Sequence, residues 1–110
     1  MLPLRRTPQY VARVRHYYFG LAERYGADVA DKFLDRVSAQ QDMIERHNEV
    51  GTQAPYILTG QEVVLREVYF DSPPSKYCLI YEILDDCVSL ISLWHATGAR
   101  NDGVLIRLWK

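Results

Sequence analysis

Apolar residues in the first half of the chain recur at spacings of three and four, whereas in the second half they run in blocks of eight or nine between turn residues. The first pattern predicts helices and the second predicts strands. Thr7-Pro8 has the form of a helix N-cap followed by proline at the first helical position, where a missing N–H costs nothing. From there Val11, Val14, Tyr18, Leu21, Ala22 and Tyr25 mark one stripe of a helix that Gly26 ends. Asp28 is placed to cap a second helix with the stripe Ala30, Phe33, Leu34, Val37 and Ile44, running to about Arg46 and interrupted by Gln40 and Gln41. Two helices joined at one glycine make a helical hairpin whose apolar faces need a cover.

The second half supplies it. A loop rich in turn formers (Asn48, Gly51, Pro55, Gly60) leads into Val63–Phe70, then Lys76–Leu84 and Cys87–His95, separated by Asp71–Ser75 and Asp85-Asp86. These runs predict an antiparallel meander with a two-residue loop at Asp85-Asp86. Paired residue numbers then sum to a constant set by that loop. Tyr77, Leu79, Tyr81 and Ile83 share the helix-facing side with Trp94, Ser92, Leu90 and Val88. The half-polar opposite side takes Cys78, Ile80, Leu93 and His95, with Lys76 opposite His95. This register separates Cys78 from Cys87 by roughly 20 Å of strand. A disulfide needs Cα atoms within about 7 Å, so both are expected as free thiols. The apolar segment Gly103–Lys110 is expected as a fifth strand or a tail docked on the sheet.

Length and charge narrow the class. A chain of 110 residues suits a single domain over 1–110, burying roughly two-thirds of its unfolded surface. Hydrophobic content of 48% is too high for intrinsic disorder, and no apolar run is long enough to span a membrane. Met1–Arg6 lacks the apolar run of a secretory signal, so the cytoplasm is the expected location. The two cysteines lack metal-ligand spacing, so no structural zinc site is expected. The net charge is −1, with Arg5, Arg6, Arg13 and Arg15 preceding the first acid, Glu23, and an acidic second half. Binding that rested on phosphate neutralisation would show a basic excess; here there is a patch at most.

The helix break Glu23-Arg24-Tyr25-Gly26, the isolated Arg66, the run Tyr77-Cys78-Leu79-Ile80-Tyr81-Glu82-Ile83 and the stretch Ile91–Asp102, with its strand-ending His95 followed by Arg100 and Asp102, come in a particular order. From roughly Thr7 to Asp102 the chain resembles the RelE/ParE toxins of bacterial type II toxin-antitoxin modules, at the ParE end of that superfamily. The resemblance implies an α+β fold, a helical hairpin packed on an antiparallel meander of three to five strands. It also implies a toxin that forms a hetero-oligomer with a cognate antitoxin. ParE-like members poison DNA gyrase, whereas RelE-like members cleave mRNA on the ribosome.

A metal-free ribonuclease must activate a 2′-hydroxyl, stabilise a pentavalent phosphorane and protonate a leaving oxygen. The residues on hand for that are Arg66, Lys76, Glu82, His95 and Arg100. Where ribonuclease relatives tend to carry an arginine, before the Leu-Ile-Tyr run, this chain has Cys78. That substitution and the missing basic excess favour a gyrase poison acting by protein contacts, with no cofactor and no catalysis. The alternatives are the ribonuclease and an inactive, antitoxin-binding relative. Arg66, His95, Arg100, Asp102 and Trp109 are the expected target or antitoxin contacts. Four of these also have a structural alternative: Arg66 as a solvated side chain or an ion-pair partner of Glu82 or Glu67, His95 as a strand-end hydrogen-bonder, and Arg100 and Asp102 as partners of one another or caps of the loop after the last strand; Lys76 has one as a turn flank. The tyrosines at 10, 17, 18, 25, 77 and 81 follow helix and strand periods and read as core or boundary residues.

Overall fold

The computed structural model describes residues 1–98 and 100–108. The elements are β1 (Leu4–Arg6), α1 (Pro8–Tyr25), α2 (Ala27–Arg46), β2 (Thr52–Leu58), β3 (Gln61–Ser72), β4 (Ser75–Ile83), β5 (Val88–His95) and β6 (Leu105–Arg107). Among the described residues the sheet has six strands in the order β1-β5-β4-β3-β2-β6. All neighbours are antiparallel except β1, which runs parallel to β5. The α+β hairpin-on-sheet expectation therefore holds, with a mixed six-stranded sheet in place of a meander of three to five.

Thr7 starts α1 as expected. Its Oγ1 accepts from Tyr10 N at 3.1 Å while its hydroxyl reaches the carbonyls of Leu90 and Ile91 on β5 at 2.8 and 3.1 Å. One side chain thus caps the helix and ties it to the sheet. Gly26, at φ 93°, lies in a region that side-chain-bearing residues avoid, and it closes α1 and opens α2 without an intervening loop. Asp28 is consequently not the cap. It lies in the first turn of α2, where its charge complements the helix dipole.

The buried stripes are rotated from those expected. On α1 the buried residues are Tyr10, Tyr17 and Leu21, while Val11 and Tyr25 are exposed. On α2, Gln41 continues the stripe Ala30, Phe33, Val37 and Ile44, because its Oε1 accepts the Tyr10 hydroxyl at 2.8 Å inside the core. A buried amide with a partner costs little, so a glutamine sits where periodicity alone would demand an apolar side chain.

The stretch expected as a turn-rich loop contains β2. Pro55 is tolerated within it because its carbonyl side faces β6 just beyond that short ladder, and there it accepts from Leu108 N at 3.0 Å. Thr59 and Gly60, both at positive φ, close the two-residue hairpin into β3. The C-terminal segment forms β6 against β2, so the strand alternative holds as far as Arg107; Trp109 lies outside the described residues.

At the β4–β5 hairpin Asp85-Asp86 is the loop, and Ile83↔Val88, Glu82↔Ser89 and Tyr81↔Leu90 pair as expected. Beyond Tyr81 the register shifts by one: Ile80 pairs Ser92, Cys78 pairs Trp94 and Tyr77 pairs His95. Ile91 is the extra residue of a bulge, at the point where the Thr7 hydroxyl binds β5. Because strand faces alternate, the bulge exchanges the faces of everything after it. Leu93 and His95 turn to the helix side, and Trp94 turns to the far side with Cys78. The expected pairs Tyr77–Trp94, Cys78–Leu93 and Lys76–His95 are corrected accordingly. Both cysteines are free and buried, as expected.

Two apolar clusters flank the sheet. Under the helices, Tyr10, Tyr17, Leu21, Phe33, Val37 and Ile44 pack on Val68, Phe70, Tyr77, Leu79, Tyr81, Leu90 and Leu93. On the far face a smaller cluster joins Ala54, Tyr56, Leu65, Cys78, Ile80, Ile91, Trp94 and Leu105.

Candidate functional site

Two places gather polar chemistry, one on each face of the sheet. On the far face, strand alternation turns Glu67 inward between Leu65 and Tyr69, while its neighbour Arg66 points to the helix side. Glu67 Oε2 accepts from the Tyr56 hydroxyl at 2.5 Å, Arg107 Nε at 2.8 Å and Arg100 Nη1 at 3.3 Å, and Oε1 accepts from the Tyr69 hydroxyl at 3.2 Å. Arg100 also donates to the Tyr69 oxygen and to the carbonyl of Ala96, and its guanidinium lies 5.4 Å from the Tyr69 ring centre. The side chains are 0% exposed at Arg100 and 4% at Glu67. Burial pushes the Glu67 carboxyl up, but hydrogen bonds from Tyr56 and Arg107 and the charges of Arg107 and Arg100 outweigh it and hold the group below the usual carboxylate range. Cys78 lies in the same cluster, its thiol pushed up to about 12 chiefly by burial. That keeps it protonated and unreactive.

On the helix side, a cleft of about 340 Å³ opens between α1 and the ends of β4 and β5. Its cationic and titratable lining is Arg13, His16, Arg24 and His95, with Tyr17 and Tyr77 behind them. The His95 ring stacks on Tyr77 (5.1 Å, 23°) and meets Tyr17 edge-on at 4.7 Å. Arg13 donates from Nε to the carbonyl of Leu93 at 3.1 Å and from Nη2 to the Tyr17 hydroxyl at 2.5 Å, its guanidinium resting 4.2 Å from the Trp94 ring centre. Partial burial, then the charges of Arg13, His16 and Arg24, hold the imidazole of His95 below its ordinary value. Among the described residues, no three His, Cys, Asp or Glu side chains converge on a possible metal position.

The remaining sequence candidates are scattered. Arg66 donates from Nη1 to the carbonyls of Glu49 and Gly51, bracing the α2–β2 connection. The backbone there runs so close to Tyr81 that a Cβ on Gly51 would lie 2.8 Å from the ring. Lys76 faces Asp71 across the β3–β4 turn at 4.0 Å, both exposed. Asp102 Oδ1 accepts from the backbone N–H of Val104 and Leu105, and its Oδ2 accepts from Gln9 Nε2. His95 and Arg66 are separated by the interval from Tyr77 to Tyr81 on β4, roughly 13 Å of strand, and Arg100 is on the opposite face from both. The structure thus brings together none of His95, Arg66, Lys76 and Arg100. It gathers instead Glu67 with Tyr56, Tyr69 and Arg107, and Arg13 with His16, Tyr17 and Arg24, groupings the sequence reading did not make: it named Glu67 only as a partner for Arg66, Arg13 in the N-terminal basic cluster, Tyr17 as a core or boundary residue and Arg24 in the helix break. A lone carboxylate in phase with Leu65 and Tyr69 was the available signal for Glu67. The cleft gave none, since it joins a helix to two strand ends far along the chain.

A helical hairpin that starts from a capped strand end, lies on one face of a mixed sheet and leaves the other face closed by a charged C-terminal segment defines a small α+β protein. The family model for the ParE toxin of the type II toxin-antitoxin system parDE matches residues 4–99. The chain belongs to that family. Its fold is similar to a solved chain described as the chromosomal ParDE TA system from P. aeruginosa, with a TM-score of 0.65 and 14% identity, covering 86% of this chain and 96% of that one. No curated protein matches the sequence. No helix among the described residues is long and apolar enough to cross a membrane.

Proposed function

We propose that this ParE-family toxin arrests growth by inhibiting DNA gyrase through protein contacts, that a cognate antitoxin neutralises it, and that it performs no catalysis of its own. The observation that carries this reading is the state of Arg100. The ribonuclease alternative sets Arg100 on the phosphate beside His95, whereas Arg100 is enclosed with Glu67 on the opposite face of the sheet from His95. Buried in this way, Arg100 ties the end of β5 at Ala96 to Glu67 on β3, and the nearby Asp102 is exposed and able to meet a partner. The accessible edge of His95 and the exposed Arg24 are further contact candidates.

Expression of the chain alone in bacteria tests this. Filamentation with SOS induction, and loss of supercoiling by purified gyrase, are the expected results. Rapid translation arrest with cleaved messages would replace this reading by the ribonuclease, and absence of any growth effect would replace it by an inactive antitoxin-binding relative. His95→Gln, which keeps a polar contact but cannot carry a proton in acid–base catalysis, is expected to leave toxicity largely intact. Rescue by the small protein encoded next to this gene would identify the antitoxin.

A further inference from the structure

The cleft between α1 and the ends of β4 and β5 has no assigned role, and its lining is one-sided. Arg13, His16, Arg24 and His95 border it, and among the described residues no carboxylate does. Local cations without a counter-charge attract an anion, the more so in a partly enclosed space where the field is less screened by water.

A second observation concerns Tyr17. Its hydroxyl oxygen accepts from Arg13 Nη2 at 2.5 Å and from the backbone N–H of His95 at 3.0 Å. Both acceptor positions of that oxygen are therefore filled, and its own proton has no acceptor among the described residues. A hydroxyl bound in this way is set as a donor towards whatever acceptor enters the cleft it lines. Arg13 is likewise fixed by Leu93 O, Tyr17 and the Trp94 ring, so its orientation requires no ordering on binding. Burial first, and then the charges of Arg13, His16 and Arg24, lower the proton affinity of His95.

We propose that this cleft is a binding site for a phosphate monoester carrying a planar aromatic group, the chemistry of a nucleoside monophosphate. Arg13, Arg24 and the Tyr17 hydroxyl meet the phosphate oxygens, His16 and His95 complete the rim, and the exposed ring of Tyr25 borders the space left for the base. The volume of about 340 Å³ is at the lower end of small-ligand pockets, which suits one nucleotide and not a longer strand. This proposal stands independently of the gyrase reading, and either survives the loss of the other.

Histidine side-chain NMR of the whole protein provides the test, because His47 lies away from the cleft in a separate depression and acts as an internal reference. Adenosine 5′-monophosphate is expected to shift the His95 and His16 resonances saturably, and to raise the titration midpoint of His95, while His47 stays in place. Inorganic phosphate is expected to do the same with lower affinity. Arg24→Gln with His16→Asn changes only exposed side chains, so the fold is retained. The pair is expected to weaken nucleotide binding about tenfold or more through lost charge-assisted contacts. No saturable shift up to about 10 mM nucleotide, a range that would still reveal millimolar affinity, would overturn the proposal. So would a shift shared equally by His47, or undiminished binding by the double variant.

Discussion

The helix-side face of the sheet is filled by some fifteen buried side chains that meet as shapes, with Tyr17, Phe33, Phe70 and Tyr77 in edge and stacked ring contacts 5.0 to 6.4 Å apart. The far face has a smaller apolar cluster and is closed by one carboxylate shared between Arg100, Arg107, Tyr56 and Tyr69. The difference lies in how each face responds to error. Apolar packing is non-directional, so a substitution of similar volume and polarity leaves most of its stabilisation in place. A buried charge network is directional and interdependent, so the loss of one member strands the others in a low-dielectric environment.

Substitutions of equal size on the two faces should therefore differ sharply. Glu67→Gln keeps the shape but leaves two guanidinium groups facing a neutral amide. It is expected to cost about 3–5 kcal/mol in urea denaturation, the range for breaking a buried ion pair from one side. A loss under about 1 kcal/mol, the value of an ordinary exposed pair, would mean that the network contributes no more than a surface contact. Thr7→Ala comes next, at about 1–2 kcal/mol. It removes the N-cap of α1 and the hydroxyl that binds β5 at the bulge. Thr7→Ser should recover most of that loss in the same assay. Leu79→Met, in the helix-side core, is expected to cost less than about 1.5 kcal/mol, as volume-conserving apolar changes do.

The smallest effect separates the faces by pH. Glu67 titrates below its ordinary 4.5 in the folded chain, so the stability it contributes is present above that pH and is lost as pH falls through its lower folded value. His95 titrates below its ordinary 6.5, so the unfolded chain takes up a proton first and stability declines as pH falls from 6.5 towards the folded value. Denaturation midpoints measured across pH should show both limbs in the native chain. In Glu67→Gln the acid limb should vanish and the His95 limb should remain.

The helix pair, its one-glycine junction, three of the long strands and the Asp85-Asp86 hairpin were legible in the sequence, because each rests on interactions within a few residues: a cap, a positive φ, alternation, a two-residue loop. β2 was not, since Asn48, Gly51, Pro55 and Gly60 carry strong local turn signals and only the ladders to β3 and β6 override them. The site candidates divide in the same way. Asp102 as a loop-bonding residue and Arg66 as a structural brace were among the alternatives that residue type and position allowed, although Arg66 binds carbonyls and not the carboxylates considered for it. The placement of His95 was not legible, because it depends on one extra residue in β5.

The sequence by itself determined the class of fold, the free thiols and the membership that its ordered short motifs signalled, since these depend on periodicity, spacing and local conformation. Tertiary structure decided which face each residue serves. Ile91 bulges where Thr7 holds β5, and that one-residue shift turns His95 into the cleft beside Arg13 and sends Trp94 to the far side. Glu67 acquires Arg100 and Arg107 from more than thirty residues further along the chain. Partners at that separation leave no periodic trace, because they meet only once the sheet and its C-terminal strand have formed.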